Sequence, residues 1–374
     1  MPKEPFIPIA APLIGEREIE YVTDAVQSTW VSSIGEYIDR FEQAFAEYCG
    51  VRHAIAVSSG TGGLHLTIHG LGIGRGDEVI MPDLTFAATA HTVLQTGAEP
   101  VFVDVEADTF CMDPAAVERA LTPRTRAILP VHLYGHPADM DALQQIADAH
   151  DLLLIEDAAE AHGATYRGKR VGSLGAAGVF SFYGNKIITT GEGGAVTTDD
   201  GDLAKRLRFL KDHGMSPERR YYHSELAFNY RMTNLQAALG VAQLERIEDF
   251  IERKRAIANW YREALSDTDA VMIRGERPSC RNVYWMTCAI LADSVEVPLD
   301  ALCERLKKRG IDTRPFFIPM SQLPHLLHLK TVGARGDGCP VAADAARRGF
   351  NLPSGTGLTR EEVQRAAAAL RESL

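Results

Sequence analysis

Between residues 53 and 182, short apolar runs alternate with stretches of helical spacing, and this alternation restricts the fold more than any other feature. The runs are His53–Val57, Glu78–Met81, Pro100–Val103, Ala127–Val131, Leu152–Ile155 and Gly178–Phe182. The helical stretches between them are Gly62–Leu71, Ala87–Gln95, Pro114–Leu121 and Ala138–His150. Strands joined by helices need crossover connections, which build βαβ units, so the pattern predicts an α/β fold on a large, mainly parallel sheet. Ligands of such sheets sit at the carboxyl ends of strands. Polar clusters fall at those ends: Ser58-Ser59-Gly60-Thr61, Glu156-Asp157 and Ser181.

The flanks extend this plan. Glu16–Ser28 and Glu36–Tyr48 have helical spacing, and Thr233–Leu265 reads as one long helix with Leu235, Leu239, Leu244, Ile247 and Ile251 on its apolar side. A strand at Tyr284–Ile290 and helices at Pro298–Arg309 and Thr359–Leu374 follow. A chain of 374 residues exceeds one minimal core. The expected division is a large unit, 1–245, and a smaller C-terminal α+β unit, 246–374.

A net charge of −11 argues against a general nucleic-acid binder, which needs clustered Lys and Arg. The six cysteines form no CxxC pair and read as reduced thiols. Prolines and acids interrupt the first twenty residues where a signal peptide needs an apolar stretch, and no run approaches a membrane span. The expectation is a cytoplasmic enzyme or sensor.

Three features carry chemistry. Asp157 closes an apolar strand. Lys186 follows another and precedes a glycine-rich loop. Ser58-Ser59-Gly60-Thr61-Gly62-Gly63 lies between a strand and a helix, where free N–H groups and hydroxyls make a phosphate cradle. A lysine amine, a carboxylate to hold a pyridine proton and a phosphate cradle are what pyridoxal phosphate requires. Each has a plainer reading: a solvated lysine, a helix N-cap at Asp157 and an ordinary turn. Two other signals are set aside. Gly163–Arg170 nearly spells a P-loop but has Arg170 where Ser or Thr must hold magnesium, and a turn between strands fits better. His132 and His136 lack the helix and the Glu of a zinc site, so no metal is expected.

Longer motifs add a resemblance. SSGT, GDEVIMPDLTFAATA, PVHLYGHPADMDAL, IEDAAEAHGA, GSLGAAGVFSFYGNKIITTGEGGAV and NYRMTNLQAALGVAQLERI, with NVYWM and TRPFF further on, resemble the DegT/DnrJ/EryC1 aminotransferases of nucleotide-linked keto-sugars. The resemblance covers nearly the whole chain. It implies the fold-type I, aspartate aminotransferase-like fold and a homodimer with shared active sites. L-Glutamate would be the amino donor, with the cofactor alternating between pyridoxal and pyridoxamine phosphate.

Carried over residue by residue, it makes Lys186 the covalent anchor and Asp157 the partner of the ring nitrogen. Phe86 would stack on the ring, and Glu160 would lie by its hydroxyl, where many relatives have Gln. Gly60, Thr61 and Ser181 would hold the phosphate, helped by Asn229 from the other subunit. The Glu form marks a branch acting on a GDP-linked 4-keto-6-deoxy sugar. Tyr183 and Ser321 depart from the family, standing where relatives often have His, which touches the identity of the acceptor. Ser32, Ser33, Arg231 and Arg314 are candidate donors to the nucleotide phosphates. The rival readings are an aminotransferase of a dTDP-linked sugar or a ketocyclitol, a sugar dehydrase, in which Lys186 would be His, and a non-enzymatic sensor.

Overall fold

The computed structural model describes residues 5–374. Helices α1 (Glu16–Gln27) and α2 (Glu36–Cys49) lead into β1 (His53–Val57), α3 (Gly60–Gly70), β2 (Glu78–Pro82), α4 (Ala87–Gln95) and β3 (Glu99–Val103). There follow α5 (Pro114–Ala120), β4 (Thr125–Ile128), α6 (Met140–His150), β5 (Leu153–Asp157), the short hairpin β6 (Thr165–Tyr166) and β7 (Lys169–Arg170), and β8 (Ala177–Ser181). Strand β9 (Gly194–Thr198) and helices α7 (Gly201–Lys211), α8 (Asn234–Leu244) and α9 (Ile247–Ala264) come next. The C-terminal part holds β10 (Val271–Ile273), β11 (Cys280–Arg281), β12 (Thr287–Leu291), α10 (Leu299–Lys308), β13 (Arg314–Pro315), β14 (Thr331–Gly333), β15 (Gly336–Asp337), α11 (Pro340–Arg348), β16 (Gly349–Leu352) and α12 (Arg360–Arg371).

The large sheet has the order β1-β9-β8-β5-β4-β2-β3-β14-β15. From β8 to β14 every neighbouring pair is parallel, as the alternating pattern predicts. The β6–β7 hairpin turns at Arg167–Gly168, inside the near-P-loop, so that segment is a turn between strands. A four-stranded antiparallel sheet, β10-β12-β16-β13, forms a second core with α9, α10 and α12, built on Tyr261, Leu302, Leu306, Phe350 and Leu370.

Two differences from the expected elements have physical reasons. The long helix over 233–265 is two helices. Arg246 leaves helical geometry at φ −117°, and its guanidinium reaches back to the buried Glu18 at 3.0 Å, which turns α9 away from α8. Strand β9 escaped notice because it is short and buried on both faces, and a glycine-rich loop leads into it. All six cysteines are free. Among the described residues no helix is long and apolar enough to cross a membrane.

Candidate active site

Register brings the three chemical features together. Strand β9 lies antiparallel between β1 and β8, and Gly194 pairs with Val57 on one side and Ser181 on the other. The cradle after β1 therefore lies beside Ser181. Asp157 pairs with Val179 on β8, so the carboxylate and Lys186 leave neighbouring strands at the same edge.

The cradle is the start of α3. Ser59 caps it, its hydroxyl accepting from the Gly62 N–H at 3.0 Å. The first amides of a helix have no intrahelical partner, which leaves those of Gly60 and Thr61 to face a ligand. Space here requires glycine: a Cβ at Gly60 would come 2.7 Å from the Ser181 Cβ, and one at Gly194 would come 2.6 Å from the Ser59 carbonyl carbon.

Asp157 is buried. Its Oδ2 accepts from the Thr89 hydroxyl at 2.9 Å and its Oδ1 from the Ala159 N–H at 3.2 Å. Residues 158–164 form turns, so Asp157 caps no helix. Burial raises its pKa, against the pull of these donors and of Lys186. Beneath it, the Ala138 N–H donates to His132 Nδ1, which leaves Nε2 to donate to Glu156 at 3.0 Å. Glu156 also accepts the N–H groups of Gly172, Leu174 and Gly175. This satisfied network fixes the end of β5. His132 thus serves structure, His136 Nδ1 lies 2.7 Å from the Pro137 carbonyl, and no group of three or more His, Cys, Asp or Glu that could hold a metal occurs among the described residues.

Lys186 is almost enclosed, its side chain 12% exposed. Its Nζ lies 3.6 Å from Glu160 Oε1 and 3.8 Å from the centroid of the Trp285 ring. The indole N–H of Trp285 donates to the Asn185 carbonyl at 2.8 Å, which fixes the ring. Burial lowers the pKa of Lys186, against Glu160 and Asp157. Burial raises Glu160 to about 7, against Lys186 and the Tyr134 N–H, which donates to Oε2 at 2.8 Å. Both shifts favour a neutral amine, the form that bonds an aldehyde. Glu160 is buried in a turn, so it is not a solvated helical carboxylate.

Phe86 starts α4 and is 58% exposed, so it is not a core aromatic. Its ring faces Phe317 at 5.7 Å. An open aromatic face, a buried carboxylate with lone pairs to spare, a sheltered lysine and a glycine-lined helix start fit pyridoxal phosphate in shape and in donor set.

The proposed substrate residues are less gathered. Tyr183 is 50% exposed, three residues before Lys186. Arg231 runs beside the cradle through its bridge to Val57, yet its guanidinium is committed to Asp212 at 2.8 Å and Asn229 at 3.0 Å. Asn229 is exposed. The Ser32 carbonyl accepts from the Asn234 N–H at 2.6 Å, and Ser33 is half-buried. Arg314 is exposed on β13. Ser321 turns its hydroxyl onto Asp83. Sequence reasoning missed Thr89, Tyr134, Trp285 and Asp83. All four lay inside motifs it had singled out, Asp83 and Thr89 in GDEVIMPDLTFAATA, Tyr134 in PVHLYGHPADMDAL and Trp285 in NVYWM, but their contacts cross the fold and left no local signal.

Comparison with known proteins agrees with this geometry. The model of the DegT/DnrJ/EryC1/StrS aminotransferase family matches residues 12–371. The chain is 47% identical to a GDP-perosamine synthase of Caulobacter vibrioides over 99% of both chains. It is 42% identical to a GDP-perosamine synthase of Vibrio cholerae over 96% of both. The solved structure of DesI in the presence of its TDP-sugar product superposes with a TM-score of 0.91 at 35% identity, covering 99% of this chain and 93% of that one. The chain belongs to the DegT/DnrJ/EryC1/StrS family and is a pyridoxal-phosphate-dependent aminotransferase.

Proposed function

We propose that this aminotransferase moves the amino group of L-glutamate to C4 of GDP-4-keto-6-deoxymannose, giving GDP-perosamine. The observation that carries the reading is near-full-length similarity to two GDP-perosamine synthases. Glu160, in EDAAEAHG, supports it as the form of that branch.

In this reading Lys186 would hold the cofactor covalently and, once released from it, its neutral Nζ would take up and return a proton as the acid–base group of the site. Asp157 would hold the ring nitrogen, Phe86 would pack on the ring, and Glu160 would lie by its hydroxyl. Gly60, Thr61 and Ser181 would hold the phosphate. When bound, the cofactor supplies an electron sink that acidifies the carbon bearing the amine. General acid–base help by a positioned lysine is typically worth ~10²–10⁴-fold. Binding energy from the nucleotide, with Ser32, Ser33, Arg231 and Arg314 as candidate donors, would orient the keto group. Tyr183 would face the sugar.

We further infer a homodimer. Phe6, Ile14, Ile19, Val26, Trp30 and Ile34 expose apolar side chains near the N-terminus, and Asn229 is exposed. Two units, 1–245 and 246–374, are inferred from the break at Arg246, with β14 and β15 reaching back to the large sheet.

The test supplies purified enzyme and glutamate with GDP-4-keto-6-deoxymannose, dTDP-4-keto-6-deoxyglucose and a ketocyclitol in turn. The GDP-linked sugar should be aminated fastest by a wide margin. Faster turnover of either competitor would refute the perosamine reading.

A further inference from the structure

The chain between β13 and β14 links the small sheet to the far edge of the large one, and on the way it packs against Phe86 and Tyr134. Phe317 lies on this path. Its ring packs 5.7 Å from Phe86 and 5.4 Å from Tyr134, and its N–H donates to the Tyr134 hydroxyl at 3.1 Å. Four residues further on, the path is pinned. The Ser321 N–H donates to Asp83 Oδ1 and the Ser321 hydroxyl to Oδ2, both at 2.7 Å. The Met320 N–H donates to the Asp83 carbonyl, also at 2.7 Å.

Asp83 is fully buried, three residues before Phe86. A buried carboxylate left without donors is costly, so this pairing is hard to give up. It also uses both hydrogens of Ser321, leaving none to donate to a sugar. Asp83 and Ser321 therefore join the two strands of chain that carry the facing rings Phe86 and Phe317.

The geometry points to Asp83 and Ser321 as a clamp that sets acceptor specificity at one remove from the substrate: Asp83, acting through Ser321, holds Phe317 packed against Phe86 and so fixes the aromatic wall that the sugar meets. Ser321 is then a positioning residue and not a sugar contact. Where relatives often place His, a short hydroxyl stays on Asp83, and the sugar meets Phe317 and its exposed neighbour Ile318 instead. The inference rests on the keto-sugar reading above.

The test uses Ser321→Ala, Asp83→Asn, the double variant and Ser321→Thr in the holoenzyme, with GDP-4-keto-6-deoxymannose as acceptor. Bleaching of the bound cofactor by glutamate is followed separately, so loss of the acceptor reaction in the wild type indicts the substrate reading and not the clamp. Each single variant should raise the sugar KM by roughly tenfold with a smaller change in kcat, and the double should be no worse than the poorer single, because both remove one interaction. Ser321→Thr should restore KM. Without any sugar, amide exchange over residues 318–326 should quicken in Ser321→Ala and Asp83→Asn. If KM rises in Ser321→Ala while exchange there is unchanged, Ser321 touches the sugar directly and the clamp is wrong. Faster exchange with an unchanged KM would equally overturn it. Should Asp83→Asn fail to fold, the Ala and Thr variants of Ser321 decide between these outcomes by the same pair of readings.

Discussion

The two sides of the site are built differently. On the cofactor side, Asp157, Glu160 and Lys186 are enclosed, stand on neighbouring strand ends and find their partners within one chain. On the acceptor side, Tyr183 is half open, Arg314 is exposed, and Arg231 is tied up by its own neighbours. Burial is what shifts the proton affinities of the first group, and it needs a sheet packed on both faces. The second group faces water, where charges are weakly felt. The difference indicates that one chain gathers the enclosed carboxylates and lysine by its own packing, while the acceptor side is left open to solvent.

Substitutions can break this contrast, beginning with the largest effect. Lys186→Ala should lower turnover by at least ~10⁴-fold, the upper end of what a positioned acid–base group contributes. Its melting temperature should stay near that of the wild type. Asp157→Asn should lower kcat by ~10²–10³-fold with a much smaller loss of stability, since an amide cannot hold the ring proton by charge. Near-normal activity would leave Asp157 as a structural acceptor for Thr89 and Ala159 only.

Asn229→Ala tests whether the sites are shared. The variant should lose activity by about tenfold or more, the effect of one or two lost hydrogen bonds to a charged group. Mixed with inactive Lys186→Ala chains, it should recover activity, because a mixed dimer keeps one complete site. No recovery on mixing, or full activity in a monomer, would remove the shared-site idea.

The smallest effect belongs to Glu160→Gln. Glu160 is raised to about 7, so it is neutral below that pH and ionised above it. Ionised, it holds Lys186 protonated at 3.6 Å and hinders bonding to the aldehyde. The ratio of wild-type to variant rates of pyridoxal phosphate uptake by the apoenzyme should fall as pH rises through 7, by no more than about tenfold, the factor one pKa unit gives. A ratio independent of pH would mean that Glu160 does not titrate in this range.

Much of the enclosed side was legible in the sequence. Strand ends are marked by a polar residue after an apolar run, so Asp157, Lys186 and the cradle could be located and joined by the βαβ order. Motif resemblance supplied Phe86 and Glu160. What could not be read was contact across the fold. Trp285 reaches Lys186 from a segment 99 residues away, and Thr89 reaches Asp157 from inside a helix where hydroxyls are common. The pairing of Ser321 with Asp83 could not be read because the two lie 238 residues apart in the chain. The helix over 233–265 was read as continuous because its apolar stripe runs unbroken past Arg246, and the break comes from the buried partner Glu18.

A second buried lysine permits the most direct test. Lys254 lines the same small cavity as Lys186, donates to the carbonyls of Trp285 and Ser354 at 3.0 and 2.8 Å, and is lowered by burial to about 7. By proton affinity alone it could also bond an aldehyde. Incubation with pyridoxal phosphate, reduction with borohydride and peptide mapping by mass spectrometry will show which lysine carries the cofactor. The strand-end geometry predicts the label on the peptide containing Lys186 and none on that containing Lys254. Stoichiometric label on Lys254, with Lys186 unmodified, would contradict the assignment of the cofactor half.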